Sequence, residues 1–218
     1  MSAREEILGR VSAALADVPR SAPGATPIPR EYAAVADVGS ADELVDLFVE
    51  RVEDYRAIVD RVRAEDLPAA VAAALGGSRR VVVPAGLDAT LLAGAAGVEV
   101  VTDGGPEGAA LTAADLDAID AVVTGAAVGI AVTGTIVLDH GPDQGRRALT
   151  LVPDRHVCIV RTDQLVGDVP ESVDRLAAAV AAGSPLTWIS GPSATSDIEL
   201  ERVEGVHGPR TLHVLLVG

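Results

Sequence analysis

Helix-like and strand-like patterns alternate through residues 67–101, LPAAVAAALGGSRRVVVPAGLDATLLAGAAGVEVV. Four segments are predicted there in turn as helix, strand, helix and strand: 67–75, 80–84, 87–95 and 98–101. Strands that alternate with helices are typical of a parallel sheet with right-handed crossover connections. This stretch therefore predicts an α/β fold.

The alternation continues downstream, but the later strands follow one another more closely. A short helix is predicted from Thr112 and another over about 170–183, because Pro170 suits a helix start and Gly183 a helix end. Further strands are predicted over 121–124, 128–139, 149–152, 156–161, 187–190 and 212–217. The whole pattern predicts a Rossmann-like α/β fold with a mostly parallel sheet, some antiparallel strands and additional N-terminal helices.

Upstream, two capping-box patterns mark helix starts, at Ser2 with Glu5 and at Ser40 with Glu43. The second apolar stripe is predicted to continue as helix to about Arg63. Four prolines within residues 19–30 predict an extended connector between the two helices. We therefore expect an N-terminal helical arm with a Pro-rich linker over 1–30 and an α/β domain over 31–218, with a helical lead-in at 40–75.

Each N-terminal feature has two interpretations. The tethered first helix either docks on another subunit or folds back on its own domain. Residues 31–66 hold eleven acidic residues against four arginines, which indicates either a solvated helix face or a docking surface for a basic partner.

The charge balance narrows the classes of function. The chain has 17 basic and 32 acidic residues, and its net charge of −15 opposes binding to nucleic acid and to anionic membranes. All of the basic residues are arginines, so chemistry that needs a lysine, such as a P-loop or a Schiff base, is excluded. Any bound anion must be held by arginine or by backbone N–H groups.

The cysteine and histidine content limits which metal cofactors the chain can bind. Cys158 is the only cysteine and lies in an apolar run, so we expect a buried, inert thiol that cannot ligate an iron–sulfur cluster, which takes about four thiolates. The four histidines show no pair at metal-ligand spacing, and we expect neither a metal site nor a cofactor on this chain. The N-terminal residues do not resemble a signal peptide and no run suits a membrane span, so we expect a cytoplasmic protein.

Polar residues around the later strands supply the candidate site. His207, between Gly205 and Gly208, is the candidate catalytic residue, because a histidine displayed in a loop can hold a carboxylate or exchange a proton. Seven further residues are candidate ligand-binding residues: Thr133, Gly134, Thr135, Arg146, Ser190, Gly191 and Ser193.

We expect the side chains of this set to share one rim beyond the strand ends, where open α/β sheets usually bind ligands. Structural roles are the alternatives: a strand bulge at 133–135, a helix cap at Ser193 and a turn-bracing role for His207.

Four long motifs occur in order: GTIVL at 134–138, GRRALTLVPDRH at 145–156, WISGPSATSDIE at 188–199 and GVHGP at 205–209. Together they resemble the LUD-domain family, strongly over about residues 120–218 and in outline elsewhere. The resemblance implies a fold similar to the NagB/RpiA/CoA-transferase group. Family members commonly carry an acidic residue immediately before the Thr-Gly-Thr motif, and this chain departs from that pattern with Val132.

The resemblance also implies a role in oxidising L-lactate to pyruvate beside two iron–sulfur partner proteins. We therefore expect a non-redox subunit of a lactate utilization system that binds a small anionic ligand. Whether the chain forms a homo-oligomer is left open. The alternative is an independent small-molecule enzyme of the sugar-phosphate isomerase, CoA-transferase or formyltetrahydrofolate cyclo-ligase type, by analogy of fold. Whether the chain is itself an enzyme stays open at this point.

Overall fold

The computed structural model describes residues 2–18, 29, 31, 35–104, 108–195, 203–205 and 207–218. The chain divides into two compact units, residues 1–32 and 33–218. The first unit contains the helix α1 (Ala3–Ala14), and Ser2 and Glu5 form its capping box as the sequence predicts. Nearly all of the predicted Pro-rich linker lies outside the described residues.

Six strands form the main sheet of the second unit. In spatial order they are β1 (Ile58–Val62), β12 (Thr211–Val217), β7 (Arg155–Arg161), β4 (Ala121–Thr124), β2 (Arg80–Pro84) and β3 (Glu99–Asp103). Every neighbouring pair is parallel. The central strands are runs of buried aliphatic residues, which is typical of strands covered on both faces.

The described part of this unit contains four α-helices: α2 (Ala41–Asp54), α3 (Leu67–Ala74), α4 (Ala113–Asp117) and α5 (Val169–Ala181). Capping boxes begin three of them, at Ser40, Thr112 and Asp168. Each cap accepts a hydrogen bond from an otherwise unpaired backbone N–H, which is why these starts are legible in the sequence. Among the described residues, no helix is both long and apolar enough to cross a membrane.

A second, mixed sheet has the order β8 (Leu165–Val166), β5 (Val128–Ile130), β6 (Thr135–Leu138) and β9 (Thr187–Ile189). Two of its three pairings are antiparallel, so the prediction of an α/β fold with a mostly parallel sheet and some antiparallel strands is confirmed. Ile136 and Leu138 of this sheet share one buried cluster with Phe48 of α2 and with Val160 and Val214 of the main sheet. A short antiparallel pair, β10 (Ala194–Thr195) and β11 (Val203–Glu204), follows β9.

The apolar stripe predicted to continue as helix to about Arg63 ends earlier. The helix α2 stops at Asp54, and Arg56 adopts a left-handed conformation with φ of 66°. Residues Ile58–Val62 then form β1, an edge strand of the main sheet that pairs with β12. The helical prediction was wrong here because the partner strand lies about 150 residues away, beyond the reach of a local pattern.

Three other predicted elements change. The strand predicted over 128–139 is a hairpin of β5 and β6, with a turn between Ala131 and Gly134. The strand predicted over 149–152 is wrong, because Arg147–Thr150 forms a 3₁₀ helix. The helix predicted over 87–95 contains only the 3₁₀ helix Ala89–Leu92. Short apolar runs do not distinguish these structures by periodicity.

Candidate functional site

A cavity of about 210 Å³ lies at the amino ends of β7 and β12. Its walls come from residues 188–194, from residues 207–209 and from Arg147, Thr150 and Leu151. His156 and Leu212, near the beginnings of the two strands, also line it. Open α/β sheets usually bind ligands at the carboxyl ends of their strands. This cavity lies at the other edge because the loop that follows β9 of the second sheet reaches there.

Four of the eight predicted site residues line this cavity: Ser190, Gly191, Ser193 and His207. Ser193 fixes the loop that carries His207. Its backbone N–H donates to the carbonyl of Pro209 at 2.8 Å, and its Oγ accepts from the backbone N–H of His207 at 3.0 Å. Strand β10 begins at Ala194, so Ser193 precedes a strand rather than a helix. No described residue accepts its hydroxyl proton, which can therefore donate to a ligand.

Thr133 and Thr135 reach the cavity only through Ser190. The Thr133 hydroxyl donates to Thr135 Oγ1 at 2.8 Å, and Thr135 Oγ1 lies 2.8 Å from Ser190 Oγ. This row of three hydroxyls ties the β5–β6 hairpin to the loop after β9. Thr135 is therefore a buried support for Ser190, whereas Val132, which precedes the motif, is exposed on the turn.

The two predicted glycines are required by packing against α2 and the residue that follows it. Gly134 has φ of 57°, and a Cβ there would lie 2.6 Å from the backbone carbonyl carbon and oxygen of Arg51. Gly191 has φ of 87°, and a Cβ there would lie 2.6 Å from Cβ of Tyr55. Both positions combine a left-handed backbone with a close approach, which only glycine satisfies. Gly134 thus sets the hairpin turn, and Gly191 sets the loop that forms one wall of the cavity.

Arg146 does not share the rim, which corrects the expected convergence. Its guanidinium donates to both carboxylate oxygens of Asp103, at 2.8 and 2.9 Å, and also to the carbonyl of Leu111. The Asp103 side chain is only 5% exposed, and the hydrogen bonds from Arg146 hold the pKa of its carboxyl below the usual value. A buried carboxylate needs such a partner, so Arg146 is satisfied within the fold, next to β3.

The neighbouring Arg147 lines the cavity instead, a residue that the sequence analysis did not select. It is exposed, and among the described residues no carboxylate forms an ion pair with it. A guanidinium at the rim attracts anions into a chain whose net charge is strongly negative. The motif Gly145-Arg146-Arg147 contains both arginines, and the sequence prediction named Arg146, the one that the fold pairs with Asp103.

His156 is the second residue that the selection missed. It is 1% exposed, it lines the cavity, and its Nε2 lies 2.8 Å from Thr124 Oγ1. Burial lowers the pKa of its imidazole to about 4, because a charged ring is poorly solvated there. The ring is therefore neutral at physiological pH. A histidine at the start of an apolar strand was the only signal in the sequence, and core histidines give the same signal.

The cavity thus presents hydroxyl groups at Ser190 and Ser193, a cation at Arg147 and imidazole rings at His156 and His207. Hydroxyl groups and a guanidinium are groups that can hydrogen-bond to a small anion. Within the described part of the chain, no group of three His, Cys, Asp or Glu side chains is arranged to hold a metal ion.

Comparisons with known proteins agree with this architecture. Lactate utilization protein C of Deinococcus radiodurans is 51% identical over 216 residues, which cover 99% of this chain and 96% of that protein. Lactate utilization protein C of Bacillus subtilis is 33% identical over 99 residues, 44% of this chain and 41% of that protein.

A crystal structure of a DUF162 family protein from Deinococcus radiodurans superposes with a TM-score of 0.71 at 49% identity, covering 83% of this chain and 99% of that one. The LUD domain family model matches residues 32–217, which span the main sheet, the second sheet and the cavity. The chain therefore belongs to the LUD domain family.

Proposed function

We propose that this chain is a non-redox subunit of an L-lactate utilization system, in which iron–sulfur partner proteins carry the electrons as L-lactate is oxidised to pyruvate. The observation that carries the proposal is the 51% identity, over nearly the whole chain, to lactate utilization protein C of Deinococcus radiodurans. The single cysteine supports the division of labour, because one thiol cannot hold an iron–sulfur cluster. The electron-transfer centres are then supplied by the partners.

The cavity is the proposed site of a small anionic ligand in this system. At about 210 Å³ it is smaller than pockets for drug-sized molecules, which are roughly 300–1,000 Å³. Ser190, Ser193 and Arg147 supply donors for a carboxylate, and the exposed His207 is placed to hold the same group or to exchange a proton with it. A short-chain carboxylic acid fits this set in size and charge.

Reconstitution with the partners tests the proposal. The iron–sulfur proteins are expressed with and without this chain, and L-lactate-dependent reduction of an electron acceptor is measured. We expect the activity to require the chain. Unchanged activity in its absence would overturn the proposal.

Two variants then test the cavity in the same assay. Arg147→Ala and His207→Ala remove rim side chains without touching the core, so we expect folded proteins that no longer support the reaction. Arg79→Ala is the matched control, since Arg79 is an exposed arginine that does not line the cavity. If the chain alone converts a sugar phosphate, a CoA ester or a folate without the partners, it is instead an independent enzyme.

A further inference from the structure

A row of buried polar side chains begins at the cavity and runs between the two sheets. His156 and Cys158 lie two residues apart in β7 and therefore share one face of the strand. Thr124 of β4 pairs with Cys158 in the strand register. All three are fully or almost fully buried. Neighbouring strands place such residues on one face, so within the protein the three polar groups have each other and nearby backbone as hydrogen-bond partners.

The hydrogen-bond direction along this row is set at its far end. Cys158 Sγ donates to the carbonyl oxygen of Gly125 at 3.8 Å, and a carbonyl can only accept. Burial raises the pKa of the Cys158 thiol to about 12, so the thiol keeps the proton that it donates. Its sulfur is then an acceptor for the Thr124 hydroxyl, whose Oγ1 lies 4.0 Å away.

This direction favours one tautomer of His156. Thr124 has one hydroxyl proton, and its donation to Cys158 Sγ, 4.0 Å away, is the arrangement in which all three side chains are hydrogen-bonded. In that arrangement Thr124 Oγ1 accepts from His156, and the ring proton is on Nε2, 2.8 Å away. A neutral imidazole carries one proton, so Nδ1 has only its lone pair. No hydrogen bond joins Nδ1 to any part of the chain that the structure describes.

We propose that His156 Nδ1 accepts a hydrogen bond from the hydroxyl group of a small hydroxy acid bound in the cavity, and so selects hydroxy acids over oxo acids. The class of ligand rests on the proposed function, whereas the acceptor character of the ring rests on the hydrogen bonds just described. Ser190, Ser193 and Arg147 are donors and suit the carboxylate of such a ligand. An oxo acid would bring a second lone pair against Nδ1, where neither atom can donate.

Binding measurements on the full chain test this selection. Calorimetry with L-lactate, pyruvate and propionate as probes compares a hydroxyl, a carbonyl and no oxygen at the same carbon. We expect L-lactate to bind about tenfold more tightly than either of the others, the effect of one buried hydrogen bond. Equal affinities for L-lactate and pyruvate, or no binding of any of the three acids, would overturn the inference.

Two substitutions distinguish the roles of the two ring nitrogens of His156. His156→Gln places an amide near the position of Nε2, which keeps the bond to Thr124 and removes the acceptor at Nδ1, so the preference for L-lactate should disappear. His156→Asn places an amide near Nδ1 and should retain a preference. A His156→Gln variant that folds and keeps the full preference contradicts the proposal.

Ring ¹⁵N chemical shifts of wild-type His156, without ligand, supply a readout that does not depend on whether a variant folds. We expect protonated Nε2 and bare Nδ1, and the opposite tautomer would overturn the inference. The outcomes are distinct from those of the reconstitution assay. A chain that the partners require but that binds both acids equally overturns the selection alone. A chain that selects L-lactate but is dispensable for its oxidation overturns the proposed function alone.

Discussion

At the residue scale, His156 makes stability depend on pH in a defined direction. The native imidazole has a pKa of about 4, whereas an unfolded histidine titrates near 6.5. Between these values the unfolded chain binds the proton and the native chain does not, so acidification lowers the free energy of unfolding. The stabilisation is complete above pH 6.5 and is lost as the pH falls to 4, by up to about 3 kcal/mol.

Chemical denaturation of wild type and His156→Gln between pH 7 and pH 4 measures this contribution. Carboxylates add to the slope in both proteins, so the difference between the two slopes isolates the histidine. We expect the wild type to lose more stability than the variant. Parallel pH profiles would show that His156 is not buried as a neutral ring.

Gly134 and Gly191 give a second prediction at this scale. Gly77 is a matched control, because its φ is 86° and a Cβ there would meet nothing within 4 Å. Gly77→Ala should cost only the left-handed strain, about 1–2 kcal/mol. Gly134→Ala and Gly191→Ala should cost about 1–3 kcal/mol more, because the new methyl collides with Arg51 or Tyr55. Equal losses in all three variants, measured by urea unfolding, would refute the packing argument.

At the element scale, the three hydroxyl groups of Thr133, Thr135 and Ser190 join the β5–β6 hairpin to the loop after β9. A double-mutant cycle with Thr135→Val and Ser190→Ala measures that connection. We expect a coupling free energy of about 0.5–1.5 kcal/mol, the usual value of one hydrogen bond in a folded protein. Additive effects of the two substitutions would mean that the hairpin and the loop are held independently.

The elements also show which parts of the fold were predictable. Helix starts at Ser2, Ser40 and Thr112 were correct because a capping box is complete within four residues. The strand β1 was missed because its stability comes from pairing with β12 at the other end of the chain. A local sequence pattern predicts elements that are stabilised by local hydrogen bonds, whereas a strand that depends on a distant partner has no local pattern of its own.

The same distinction explains the candidate site. Ser190, Gly191, Ser193 and His207 were predicted from loop chemistry that is visible in the sequence, and the four line one cavity. Arg146 was chosen over Arg147 because their sequence context is nearly identical, while Asp103, about 40 residues earlier, decides which one is paired. The position of the cavity, at the amino ends of β7 and β12, depends on how the two sheets pack and could not be read from the motifs.

At the scale of the whole molecule, the cavity has a built-in reporter. Trp188 is the only tryptophan in the chain, it is 41% exposed, and it lines the cavity. Tryptophan fluorescence of the intact protein therefore reports on the surroundings of this one side chain, at the cavity.

Titration of this fluorescence with L-lactate tests most directly whether the cavity is the ligand site. We expect a saturable change in wild type and in Arg79→Ala, and a much weaker response in Arg147→Ala, which lacks the rim cation. No saturable change in wild type, or the same titration curve for Arg147→Ala and Arg79→Ala, would contradict this expectation.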